Sequence, residues 1–351
     1  MTRQAVRGTL TVFNGNEATS MTDVKLNLVV YDEDGHIAGS ELMQISPETL
    51  TGFTGEMNLQ AGWTLGANSE GKATILFIPT KYAAPTVSRP FTFTGTITYT
   101  DPFSGLEITR DLAPATLTVN PSPNLDLTYF MQRDVIGDDP LTEEVESWHP
   151  AEFALLINNK GYGDATKVQM VTNQPQIVEN EKGLLIDFEL LSAQLNGEPA
   201  TLAMGQSIAT DFGTIPAHSQ TYAQWWLKSS LLGHFTDYDV QATHVTSYGN
   251  ENLSLLDEVS IHELIHGFTY KPLAGDNLRG FLVNDIEDAE DMPDVVYLTD
   301  ATQDDVAISN GATISRNSDT EYLLTVNTAL SGWNYGSLLD PTIGKQKDRK
   351  S

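Results

Sequence analysis

Between Phe91 and Thr100 the chain alternates with a period of two. Phe91, Phe93, Ile97 and Tyr99 fall on one face, and Thr92, Thr94, Thr96 and Thr98 on the other. Only a β-strand sends successive side chains to opposite faces. Threonine opposite aromatics is the composition of a half-buried antiparallel strand, and it excludes a helix here. Asp101-Pro102-Phe103-Ser104-Gly105 then reads as a turn, with the return strand starting at Leu106–Ile108 and closing at Leu117 and Val119. Upstream, Val24, Leu26, Leu28 and Val30 share a strand face against Lys25 and Asn27. The acidic turn Asp32-Glu33-Asp34-Gly35 ends that strand on a glycine able to take positive φ.

A chain of 351 residues, 40% of them hydrophobic, is too long for one ordinary sandwich and can bury more than one core. Asn120-Pro121-Ser122-Pro123 marks a stiff spacer, because two prolines remove backbone donors and fix φ. Alternation resumes at Leu125, Leu127 and Tyr129. Further strands are expected around Ala154–Ile157, Val168–Val171, Leu184–Leu190, Tyr222–Leu227, Tyr238–Val245, Val295–Leu298 and Tyr322–Val326. The fold class is therefore all-β, with tandem immunoglobulin-like sandwich modules at 1–120 and 121–269. A partial third β module with an acidic linker follows at 270–351.

The second module carries three ordered elements. An apolar strand, Phe153-Ala154-Leu155-Leu156-Ile157, leads into the turn Asn158-Asn159-Lys160-Gly161-Tyr162-Gly163-Asp164-Ala165. The corner Gly213-Thr214-Ile215-Pro216-Ala217-His218-Ser219 precedes the aromatic strand Tyr222–Leu227. Gly233-His234-Phe235 leads into Tyr238–Val245. Together these make residues 125–268 resemble the bacterial cell-adhesion-related (CARDB-type) immunoglobulin-like domains. The stretch from Asn173 to Ser207 is longer than the family pattern and contains an apolar run of its own. The resemblance implies a structural or adhesive module of a large exported protein, with no catalytic residues to transfer.

His262-Glu263-Leu264-Ile265-His266 spells the HExxH zinc-protease motif. On a helix the two histidines would share one face and bind Zn²⁺, with Glu263 as general base towards the metal-bound water. Glu287 and Glu290 offer a third ligand. Neither helical nor strand periodicity fits the segment cleanly: Glu263 interrupts the helical stripe and Leu264 lies on the polar face of a strand. The segment follows a strand and a turn, where a sandwich needs its last strand. The expectation is a terminal strand with two outward histidines, no catalytic or metal residues, and a zinc metallohydrolase as the alternative.

The net charge of −28, from 47 acidic and 19 basic residues, repels phosphate backbones and argues against nucleic acid as a partner. Such a surface also offers oxygen ligands. The stretch Asp285–Asp294 could hold a structural Ca²⁺, although it lacks the spaced Asp-x-Asp-x-Asp-Gly loop, and the run Asp138 to Glu144 has the same status. Trp148, Trp225 and Trp226 raise a second alternative, a carbohydrate-binding module, but adjacent strand residues point oppositely, so one of the tandem pair belongs in a core. Asn252-Leu253-Ser254 is a formal glycosylation sequon. With no cysteine and no apolar run of membrane-spanning length, the segment has no disulfide and no membrane insertion. Any export signal would lie upstream, and the basic run Lys345–Lys350 reads as a frayed end. The expected function is that of a non-catalytic structural or adhesive module, extracellular or at the cell surface. Its partners are neighbouring modules and an unidentified protein or glycan.

Overall fold

The computed structural model describes residues 5–138, 143, 145, 147–172, 188–200, 208–234, 249–270, 278–285, 292–307, 312–318, 321–326 and 334–335. The chain is all-β, and no α-helix occurs among the described residues; one 3₁₀ turn spans Glu251–Leu253. No helix there is long and apolar enough to cross a membrane.

The N-terminal module is a sandwich of two sheets. β1 (Val6–Asn14), β6 (Ser69–Pro79) and β3 (Met43–Thr51) form one, in that order. The other runs β4 (Phe53–Thr54), β5 (Trp63–Leu65), β2 (Met21–Tyr31), β7 (Arg89–Thr100), β8 (Glu107–Val119). Val24, Leu26, Trp63, Leu65, Phe91 and Phe93 are all but sealed from solvent between them. The threonine face of β7 lies outward, where Thr92 meets Thr116 and Thr98 meets Thr109 on β8 through hydroxyl pairs. Gly95 falls on the core face between Phe93 and Ile97, and a Cβ there would overlap the Asn27 carbonyl and approach Leu28 Cα to 2.9 Å. That close approach is why the inward row Phe-Phe-Gly-Ile-Tyr has a gap.

The second module is dominated by a nine-stranded sheet. Its order is β14 (Glu198–Pro199), β13 (Phe188–Leu195), β16 (Ser219–Ser229), β11 (Ala151–Asn159), β9 (Leu125–Met131), β18 (Leu256–Tyr270), β19 (Leu278–Asn284), β20 (Val295–Leu298), β21 (Gln303–Asp305). β12 (Ala165–Thr172) and β15 (Ile208–Ile215) pair with each other, as do the two-residue strands β10 (Asp134–Val135) and β17 (Gly233–His234). A final hairpin joins β22 (Ala312–Arg316) and β23 (Tyr322–Val326). The strand expected at Leu184–Leu190 is represented by β13, whose described part starts at Phe188; that expected at Tyr238–Val245 lies outside the described residues.

The large sheet buries both of its faces. Leu127, Tyr129, Phe153, Leu155, Ile157 and Trp225 pack on one side, with Val168, Phe212 and Ile215 from β12 and β15. Phe130, Ala154, Leu156, Leu264, Phe281 and Val283 form a second cluster on the other. A strand buried on both faces reads as a continuous apolar run, which is what Phe153–Ile157 is. The sheet runs without a break from β9 to β21, across the division expected near residue 270. Arg279 of β19 donates through Nη2 to the buried Glu152 of β11 at 3.0 Å, and Gln224 Nε2 donates to the same oxygen. Gly267 lies between them; a Cβ there would come within 2.6 Å of Glu152 Oε2.

Candidate functional site

Residues 262–266 lie within β18, paired in parallel with β9 and antiparallel with β19. In a strand, residues four apart are separated by about 13 Å, against one helical turn for a shared zinc ligand set. A register shift between Leu264 and His266 rotates the two histidines further apart. His262 sits over Tyr297 at 4.6 Å between ring centroids, near Phe130 at 5.9 Å, and its Nδ1 meets Asp285 Oδ1 at 2.5 Å. The expectation of two outward histidines therefore holds for His266, which is exposed, and not for His262, which is half-buried against the second cluster. Glu263 points to the opposite face, where Asn284 Nδ2 donates to it at 3.1 Å and Arg133 Nη1 stands 3.8 Å away. A base on one face and a ligand on the other cannot act on one metal-bound water. Glu287 and Glu290 lie outside the described residues.

Asp285 is fully engaged. One oxygen meets His262, the other accepts from the Tyr297 hydroxyl at 2.8 Å, and its backbone N–H donates to Asp294 at 3.0 Å. Burial, and then the Asp285 carboxylate that accepts its proton, push the Tyr297 phenol well above its ordinary range. The rest of the acidic stretch, residues 286–291, and Asp139 to Leu141 are outside the described residues.

A different ligand-type group forms in the acidic turn after β2, where Asp32, Asp34 and His36 bring their donor atoms within 4.8 Å of one another. The sequence offered Asp32–Gly35 as a turn only. Asp32 Oδ1 already accepts from the backbone N–H groups of Asp34 and His36, so the convergence follows from an Asx turn.

The three tryptophans do not make a platform. Trp225 is in the core at 1% exposure. Trp226 lies on the opposite face, half-buried. Trp148 is exposed, but the Lys228 ammonium sits 4.8 Å over its ring, where a sugar would stack.

The densest constellation is the joint between the two modules. Asn159, wholly buried at the end of β11, donates through Nδ2 to the carbonyls of Gly163, Ile215 and Pro216, and accepts through Oδ1 from the N–H groups of Gly161 and Asn124. The loop it holds clasps the linker. Lys160 N–H donates to Asn124 carbonyl at 2.8 Å, and a Cβ on Gly161 would come within 2.7 Å of Ser122 and Pro123 backbone atoms. A Cβ on Gly163 would overlap the Pro121 carbonyl. The glycines of Asn-Lys-Gly-Tyr-Gly are thus needed for close backbone approach, not for unusual φ.

Charge spans the same joint. Lys160 Nζ bridges Asp126 at 2.8 Å and Asp257 at 2.9 Å, while Lys81 of the N-terminal module meets Asp257 at 3.2 Å. The Lys160 hydrogen bond holds Asp257 below the usual carboxylate range. Asp126 goes the other way, because burial outweighs Lys160; its Oδ1 is buried with no partner among the described residues. Asn250 donates to Ser40 carbonyl at 2.9 Å and to Gln44 at 3.2 Å, and Lys81 N–H donates to Asn252 carbonyl at 3.2 Å. The sequon residue Asn252 thus lies in this contact. Nothing in the sequence marked Lys81, Asn250 or Asp257, whose partners lie 97 to 210 residues away.

No family model matches the chain, and no curated protein matches it. Among solved structures, domains D2 and D3 of the major pilin SpaD from Corynebacterium diphtheriae are similar at 9% identity and a TM-score of 0.17. That alignment covers 73% of this chain and 93% of that one.

Proposed function

We propose that the chain is a non-catalytic structural or adhesive segment of a larger secreted or surface protein, in which the second module is of the CARDB type. The observation that carries the reading is the joint: linker, loop and ion pairs are spent on fixing one module against the next. The N-terminal module then works as a rigid arm held at a set angle. A catalytic reading finds no support in the HExxH segment, whose glutamate and first histidine face opposite sides of the sheet.

The test uses the absence of cysteine. Cysteines introduced at the exposed Glu107 and Glu198, one on each module, take spin labels at those two places alone. Pulsed dipolar spectroscopy should return one narrow distance distribution. A broad one, spanning several module orientations, would refute a fixed joint.

Calcium is not part of this stiffness. Both oxygens of Asp285 already hold protein donors, so the melting temperature in excess calcium should equal that in chelator. A rise in calcium would put a bound ion into the acidic stretch and replace this account of it.

A further inference from the structure

We propose that the outer edge of β1 is a self-association site, pairing antiparallel with β1 of a second copy about a two-fold axis at Leu10. An edge strand presents a row of unpaired N–H and C=O groups, and stable proteins blunt such edges with proline, bulges, charge or brevity. The other edges of the core-bearing sheets follow that rule. β8 carries Pro114, Arg110, Asp111 and a register shift opposite Phe93–Gly95. β3 carries Pro47 and a shift beside it. β14 and β4 are two residues long, and β21 is Gln-Asp-Asp. The β12–β15 pair is interrupted twice.

β1 is neither short, bulged nor interrupted by proline, and its one charged residue, Arg7, is neutralised by a two-point ion pair with Glu48 of β3. Its nine residues pair with β6 without a register shift, contain no proline and no acidic residue, and have no other strand partner among the described residues. In a chain of net charge −28, an edge strand with no acidic residue of its own, beside a carboxylate already paired with Arg7, is where two copies repel least. The alternation is regular: Arg7, Thr9, Thr11 and Phe13 point outward, while Val6, Gly8, Leu10 and Val12 are half-buried.

The half-burial has a geometric cause. β3 connects to β4 in the opposite sheet through Gly52 alone, which closes one flank of the sandwich. β1 and β8 are the edges of the other flank and do not pair, so Leu10, Val12 and Leu112 stay partly open there.

A second copy fits this edge better than an arbitrary strand does. With the axis at Leu10, Thr9 faces Thr11 of the other copy twice, Gly8 faces Val12, and Arg7 faces Phe13. No like charges meet, and the inward apolar row continues into its symmetry mate. The two three-stranded sheets become one of six strands, with both open flanks turned towards each other.

Sedimentation equilibrium of the full chain from about 1 µM to about 500 µM should show the mass doubling with concentration. The double variant Thr9→Lys/Thr11→Lys places lysine opposite lysine twice on the exposed face. It should weaken association at least about tenfold with an unchanged melting temperature. Thr9→Lys/Thr11→Glu places lysine opposite glutamate and should restore it. A wild-type chain monomeric throughout, or a dimer indifferent to both variants, overturns the proposal.

Discussion

Replacing Phe130 with alanine should lower the stability of the large sheet by about 3–5 kcal/mol, the range for deleting a buried phenylalanine. Phe130 is wholly buried, stacks on Phe281 at 4.4 Å and meets Tyr297 edge-on at 5.4 Å. Its three aromatic neighbours come from β18, β19 and β20, so the variant tests more than a cavity. Because β9 to β21 form one sheet, the strands after residue 270 should unfold in the same denaturant transition as those before it. The N-terminal module, with its separate core, should keep its own transition. A variant in which residues 278–305 melt separately from the rest of the sheet would show that they are an independent unit.

The second large effect concerns one methyl group. Gly163→Ala should destabilise the joint by about 2–3 kcal/mol, since the new Cβ would overlap the Pro121 carbonyl and force the linker off the loop. Asn159→Leu should cost at least as much, because three carbonyls and two N–H groups lose their partner at once. The informative readout is spectroscopic. In Gly163→Ala the distance between labels at positions 107 and 198 should broaden while both modules keep their native circular dichroism. Retention of the narrow distribution would show that the clasp does not set the angle.

The strand class was legible where one face meets water. β7 has that property, and its threonines and aromatics announce it. β11 does not, because it is buried on both sides, and two-sided burial erases the period of two; β18 hides its class differently, since the register shift between Leu264 and His266 breaks its alternation. Leu264, which looks misplaced on a polar strand face, is 2% exposed in the second cluster. Its neighbour His262 looks like a metal ligand and is a packed ring paired with Asp285, twenty-three residues on. The joint was half legible: the prolines and glycines show in the sequence, but the clasp exists only once β11 has brought Asn159 under Asn124. Asn14 does the same at the end of β1, donating to the carbonyls of Thr19, Leu65 and Gly66 and accepting from Asn16 N–H. A buried asparagine that ends a strand and pins the following loop recurs in both modules. Composition hides it, because asparagine ordinarily signals a solvated turn.

The register of the first sandwich fixes how force would pass through it. β1 begins opposite Phe77, close to Lys81 at the joint, and β8 delivers the chain from Val119 into the linker at that same end. The far end is the turn 101–106, tied to Asn16 through the Pro102 carbonyl and presenting Phe103 at 74% exposure. A pull between residues 5 and 125 would therefore enter and leave the module at one end, loading the Val6–Phe77 and Arg89–Val119 pairs there and leaving the far turn 101–106 unloaded. The module is a cantilever of about 40 Å, the length of β7. It is suited to holding its tip away from the main line of tension and not to bearing that tension along its length.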